Sequence, residues 1–199
     1  MGLERVADRR TGMGSESAAV VTRAMHGDHD AFATLIGLAT NRLYALACLI
    51  LRDTDRAEDA AQEAIVRAWR ELPRLRDPEK FDAWLRRLTV NACFDEARRV
   101  RRRAEVSLIR LEERQTADPA GAYVEHERVD RAFRRLPFDQ RTVLVLQHHF
   151  DLSHGEIADT LGIPIGTVKS RIRYGSAALR ASLDADDRSS LPASDRTSA

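Results

Sequence analysis

Residues 153–183 read SHGEIADTLGIPIGTVKSRIRYGSAALRASL, and the order of caps, breaks and charges in this stretch decides the fold. Ser153 followed three residues later by Glu156 is a capping-box pattern, and Ile157, Ala158 and Leu161 give the ensuing helix its buried side. Gly162 supplies the left-handed backbone on which a helix ends. Pro164 sits where a second helix opens, with Val168, Ile172 and Leu179 inward and Thr167, Lys169, Ser170, Arg171, Arg173 and Tyr174 outward. A short helix, a glycine turn and a basic second helix make a helix-turn-helix, which lays the start of its second helix in a major groove. Gly166 would let the backbone approach DNA closely, Lys169 and Arg171 suit guanine edges, and the other polar side chains suit phosphates. An ordinary helical hairpin with a solvated basic face is the plainer reading, but four agreeing signals weigh against it.

Upstream, apolar residues recur at three and four rather than at two, so the chain reads as all-helical. Phe32, Leu35, Ile36, Leu43, Leu46, Ala47 and Ile50 form one run, broken at Arg52-Asp53-Thr54-Asp55. Ala57, Ala60, Ala61, Ala64, Ile65, Ala68 and Trp69 then stripe a second helix, with Glu58, Asp59, Gln62, Glu63 and Arg67 off the stripe. Pro73 and Pro78 bracket a loop, and a further helix runs from Phe81 through Trp84, Leu85, Leu88 and Val90 into a cluster of arginines. Periodicity lapses over residues 104–124 and resumes near Glu125, where Val129, Ala132, Phe133 and Leu136 share a face before Pro137 opens the next helix, with Val143, Leu144 and Leu146 inward. The expected organisation is an N-terminal tail at 1–14, a first helical domain at 15–103, a flexible acidic linker at 104–124, a second small helical domain at 125–183 containing the helix-turn-helix, and a disordered polar tail at 184–199.

Net charge is +1, so partners must be read from where the charges lie. Residues 86–103 carry seven Arg against Asp95 and Glu96, and residues 164–183 carry Lys169, Arg171, Arg173 and Arg180 with no acid. Residues 53–71 instead hold six acids against three Arg. Two basic faces separated by acidic stretches fit two nucleic-acid contacts and a different, non-DNA partner. Cys48 and Cys93 lack ligand spacing and read as reduced core thiols of a cytoplasmic protein. No stretch reaches roughly 18 uninterrupted apolar residues, so no membrane insertion is expected.

Two segments carry a family resemblance. RDTDRAEDAAQEAIVRAW at 52–69 closely resembles the polymerase-docking helix of the sigma-70 superfamily, and FDAWLRRLTVNACFDEARRVRRR at 81–103 resembles the promoter-melting helix that follows it. With the helix-turn-helix downstream, the similarity is to the extracytoplasmic-function group, which keeps only these two domains. The resemblance implies a sigma factor that binds core RNA polymerase, recognises the minus-35 and minus-10 elements and promotes melting. It assigns core-polymerase binding to Asp59, Gln62, Glu63 and Arg67, and minus-10 contacts to Asn91, Asp95, Arg98, Arg99 and Arg102. Minus-35 contacts fall on Gly166, Thr167, Lys169, Ser170, Arg171, Arg173 and Tyr174. The implied partners are core polymerase, double-stranded promoter DNA, the melted non-template strand and an anti-sigma factor; no cofactor is implied.

Two rivals differ in kind. A helix-turn-helix repressor acting without polymerase docking would leave the acidic helix and the arginine cluster at 98–103 without purpose. An enzyme, such as a metal-dependent nuclease on Asp53, Asp55, Asp59 and Glu63, meets poor geometry: these acids alternate with Arg56 and Arg67, and no phosphate loop or nucleophile elbow occurs. No catalytic residue and no metal site is expected; His148, His149 and His154 lack a completing ligand.

Overall fold

The computed structural model describes residues 15–106 and 124–190, and within these every regular element is helical. The N-terminal tail and most of the expected linker lie outside the described residues. Helices α1 (Ser15–Met25), α2 (His29–Leu51), α3 (Thr54–Glu71) and α4 (Phe81–Val106) form the first unit. Helices α5 (Val124–Arg134), α6 (Phe138–His148), α7 (His154–Leu161) and α8 (Ile165–Ser190) form the second.

Each break has a local chemical cause. The Asp28 carboxylate accepts from the Ala31 N–H at the start of α2, and Asp53 accepts from Arg56 at the start of α3. Between these helices Arg52 takes the left-handed conformation, φ 57°, and donates its N–H to Cys48. Both arms of the Ser153–Glu156 capping box are present, and Gly162 ends α7 at φ 64°. The segment bracketed by Pro73 and Pro78 is not plain loop: it holds two 3₁₀ turns, Leu72–Arg74 and Pro78–Lys80, the second capped by Asp77.

Alanines set the packing of α3. Ala57, Ala60, Ala61, Ala64 and Ala68 are all buried, and their small side chains let α3 lie close against α2 and α4. Trp69 is exposed on one edge but stands 4.9 Å, edge to face, from Phe32, with His29 at 4.6 Å. By length and composition alone α2 could cross a bilayer; in this fold Leu35, Leu43, Leu46 and Ile50 are buried in the helical core.

The two units share that core. Leu46, Ala47 and Ile50 of α2 and Val90 and Cys93 of α4 belong to one buried cluster with Val143, Val145 and Leu146 of α6, Ile157 of α7 and Val168 of α8. Phe94 of α4 meets Phe138 of α6 edge to face at 4.8 Å. Burial pushes the Cys93 thiol up to about 12, so it stays protonated.

Three expectations need correction. Val129 is exposed, because α5 turns Ala132 rather than Val129 inward. Pro137 precedes α6 as its cap and does not occupy its first turn. The polar tail expected from residue 184 is helical as far as Ser190: Ala177, Ala178, Ala181 and Ala185 favour helix, and no breaker intervenes before Pro192.

Gly175 lets α8 pack tightly on α6, since a Cβ there would lie 3.1 Å from Leu144 Cδ1 and 3.2 Å from Gln140 Cβ. Helix propensity alone would make Gly175→Ala stabilising by about 1 kcal/mol. We expect net destabilisation instead, of about 1–3 kcal/mol from overpacking, measured by urea unfolding.

Candidate functional site

Three charged helix faces emerge from this framework. On α8, Gly166, Lys169, Arg173 and Tyr174 are exposed, and Thr167 and Ser170 are half-buried. Val168 is completely buried at the base of the helix, so the polar positions around it turn outward. Arg173 Nη2 donates to Tyr174 Oη at 2.8 Å while its guanidinium lies 4.7 Å from that ring, which holds the cation over an aromatic surface. No Cβ-sized obstruction lies within 4 Å of Gly166, leaving the start of α8 open to an incoming backbone.

Arg171 behaves differently from its neighbours. Its Nη2 donates to Asp139 Oδ2 on α6 at 2.7 Å, and the side chain is 25% exposed. It ties the recognition helix to the helix behind it, so a base contact would have to compete with Asp139.

On α4, Asn91, Asp95, Arg98 and Arg102 are spaced four, three and four residues apart and so share one stripe. Asn91, Arg98 and Arg102 are exposed, and Asp95 is half-buried. Arg99 lies beside this stripe, bound to the buried Glu96 at 2.9 Å. Arg86, from the same basic stretch, is half-buried, and burial lowers its pKa against the opposing charge of Glu156 on α7.

On α3, Asp59 and Gln62 are exposed, and Glu63 is half-buried. Arg67 is turned into the α3–α4 groove: Nε donates to Glu63 at 2.8 Å and Nη1 to Asp95 at 2.7 Å. Burial pulls its pKa down, but its bonds to Asp95 and Glu63 outweigh that and leave it above the usual arginine value. The structure thus joins the sets expected for polymerase and minus-10 DNA through one side chain. These residues line a polar groove of about 290 Å³ with Asp59, Gln62, Glu96 and Arg99.

The chain was compared with known proteins. Residues 35–103 match the Sigma-70 region 2 family and residues 126–179 match Sigma-70, region 4. The ECF RNA polymerase sigma factor SigW of Bacillus subtilis is 34% identical over 176 residues, covering 82% of this chain and 94% of its own. The chain belongs to the extracytoplasmic-function RNA polymerase sigma factors. The RNA polymerase sigma-H factor of Pseudomonas aeruginosa is 31% identical, covering 77% of this chain and 86% of its own. Among solved structures, the sigma factor RpoE of Bartonella quintana, crystallised with the anti-sigma factor NepR, has a TM-score of 0.66 at 26% identity over 78% of this chain and 98% of its own. CnrH, in complex with the cytosolic domain of CnrY, has a TM-score of 0.61 at 28% identity over 85% of this chain and 98% of its own.

As a member of this family the protein is a sigma factor that joins RNA polymerase and recognises promoters, one of a class of generally non-enzymatic DNA-binding regulators. The reading as a repressor acting apart from polymerase finds no support. Among the described residues, no group of three His, Cys, Asp or Glu side chains converges as a metal site. The histidine pair borders the contact between units: burial, then His148 and Arg52, lower the His149 pKa.

Sequence reasoning missed Arg141. This guanidinium is 8% exposed; its Nε donates to Ile50 O on α2 at 2.8 Å, and its Nη1 reaches the carbonyls of Phe133, Arg134 and Leu136 at 3.3–3.5 Å. Burial, with Arg52 adding like charge, lowers its pKa to about 10, so it remains a cation at neutral pH. It lay unnoticed because an arginine in the first turn of a helix reads as surface; the buried run that follows it, Thr142 to Leu146, was the available signal.

The Arg171–Asp139 pair is open to a double-mutant cycle on the free protein. With the side chains 25% and 47% exposed, we expect a coupling of about 0.5–1 kcal/mol between Arg171→Ala and Asp139→Ala in urea unfolding; strict additivity would show the bond contributes nothing to holding α8.

Proposed function

We propose that the first unit, residues 15–103, docks on core polymerase through Asp59, Gln62 and Glu63 of α3 and takes the minus-10 region and its melted non-template strand on Asn91, Asp95, Arg98, Arg99 and Arg102 of α4. The second unit, residues 125–183, reads the minus-35 region through Gly166, Thr167, Lys169, Ser170, Arg173 and Tyr174, with Arg171 bracing α8 and reaching DNA only by releasing Asp139. The observation that carries this reading is the separation of charge by helix: acids on the outer face of α3, and cations on the exposed faces of α4 and α8. The polymerase performs all the chemistry, so the protein needs no catalytic group. It acts in the cytoplasm, where its polymerase partner lies, and an anti-sigma protein of the kind bound to RpoE is its expected antagonist.

The shared core adds a step to this mechanism. The minus-35 and minus-10 elements lie about 25 base pairs apart, or ~85 Å of duplex at about 3.4 Å per base pair. A closed chain of 199 residues has a radius of gyration of about 16 Å and spans on the order of 45 Å. The units must therefore part at the α2–α6 and α4–α7 contacts before both elements can be read together. The seventeen residues 107–123 have a contour of at most about 60 Å, enough to permit it. Free protein, held closed and lacking polymerase, should bind promoter DNA poorly.

Charge reversal on α3 tests the docking assignment. Asp59→Lys should weaken assembly with core polymerase at least about tenfold, as a like-charge clash at an interface does, with an unchanged thermal melt. Equal assembly by wild type and variant would remove α3 from the polymerase interface.

A further inference from the structure

Asp95 is an acid on a stripe of α4 that otherwise presents Asn91, Arg98 and Arg102. On a face that approaches a polyanion, an unneutralised carboxylate repels phosphate and works against its neighbours. Arg67 on α3 meets this charge from behind: its Nη1 holds Asp95 Oδ2 at 2.7 Å, while Oδ1 stands 3.6 Å from Arg98. Arg67 is 26% exposed and spends its second edge on Glu63, so it is poorly placed to meet polymerase directly. A planar guanidinium can fork to two carboxylates at fixed angles; an ammonium cannot hold both in that way.

Resting on the sigma reading above, we propose that Arg67 is a positioning residue for minus-10 recognition that acts through Asp95, and that it links this recognition to polymerase docking. It neutralises Asp95 against the phosphates and fixes the carboxylate, leaving Oδ1 lone pairs to accept from an exocyclic base amine of the cytosine type. Glu63 competes for the same guanidinium. A polymerase cation that engages Glu63 leaves Arg67 wholly to Asp95, so docking and minus-10 reading reinforce each other.

The test uses full-length protein assembled with core polymerase and reads two quantities: core affinity, and permanganate reactivity of unpaired minus-10 thymines. Arg67→Met keeps the apolar stem and removes the charge; it should lower opening about five- to tenfold while core affinity moves less than about twofold. Adding Asp95→Asn to the same chain should restore most of the opening, a rescue that a merely structural Arg67 would not give. A parallel loss of core affinity, or an additive double variant with an unchanged melt, overturns the proposal. Should the Met variant melt early, Arg67→Lys takes its place, with a loss of opening of about two- to threefold that Asp95→Asn recovers; full opening by the Lys variant, or no recovery, overturns the proposal equally. Wild-type protein that opens no promoter would instead sink the sigma reading itself, so the two failures are distinct.

Discussion

A buried cation held by carbonyls joins the two halves of this molecule. Removing the Arg141 guanidinium from water carries a large penalty, and no carboxylate bond offsets it among the contacts described; the compensation comes from the Ile50, Phe133, Arg134 and Leu136 carbonyls. The Ile50, Phe133 and Arg134 carbonyls lie in the last turns of α2 and α5, and Leu136 just past α5, where the helix dipole is negative. The same side chain thus serves the second unit's own architecture and its attachment to the first. Around it, Arg52 pairs with Asp130 across the units, and the Phe94–Phe138 contact closes the apolar side.

That attachment stands in tension with the task of reading two distant DNA elements. A tightly packed pair cannot span them, whereas a pair that never packed would expose the apolar run of α6 to solvent. On the proposed mechanism, covering that surface in the free protein and releasing it on the polymerase reconciles solubility with reach. Of the residues proposed to face DNA, Gly166, Lys169, Arg173 and Tyr174 of α8 and Asn91, Arg98, Arg99 and Arg102 of α4 stay exposed in the closed state, so packing limits geometry more than access.

Legibility in the sequence followed the range of the interaction. Local signals read correctly: the Ser153–Glu156 box, the Gly162 stop, the alanine stripe of α3 and the break at Asp53 each depend on residues within one turn. Long-range pairings were not legible. Nothing near Arg171 announces Asp139, thirty-two residues away, and nothing near Arg67 announces Asp95. The contact between units had one trace, the unbroken apolar run from Val143 to Leu146: a helix covered on every side needs two partners, and the helix-turn-helix supplies one of them. The tail was misjudged for another reason, since polar composition was given more weight than the alanines that let α8 continue.

The most direct measurement is run-off transcription with bacterial core polymerase, alone and with this protein, across a panel of promoters that vary the minus-35 and minus-10 elements and the spacing between them. The account predicts transcripts that appear only when the protein is present, depend on both elements, and fail when the spacing departs from the span that polymerase imposes. Silence across the panel, together with tight binding of the protein alone to palindromic DNA, would contradict it.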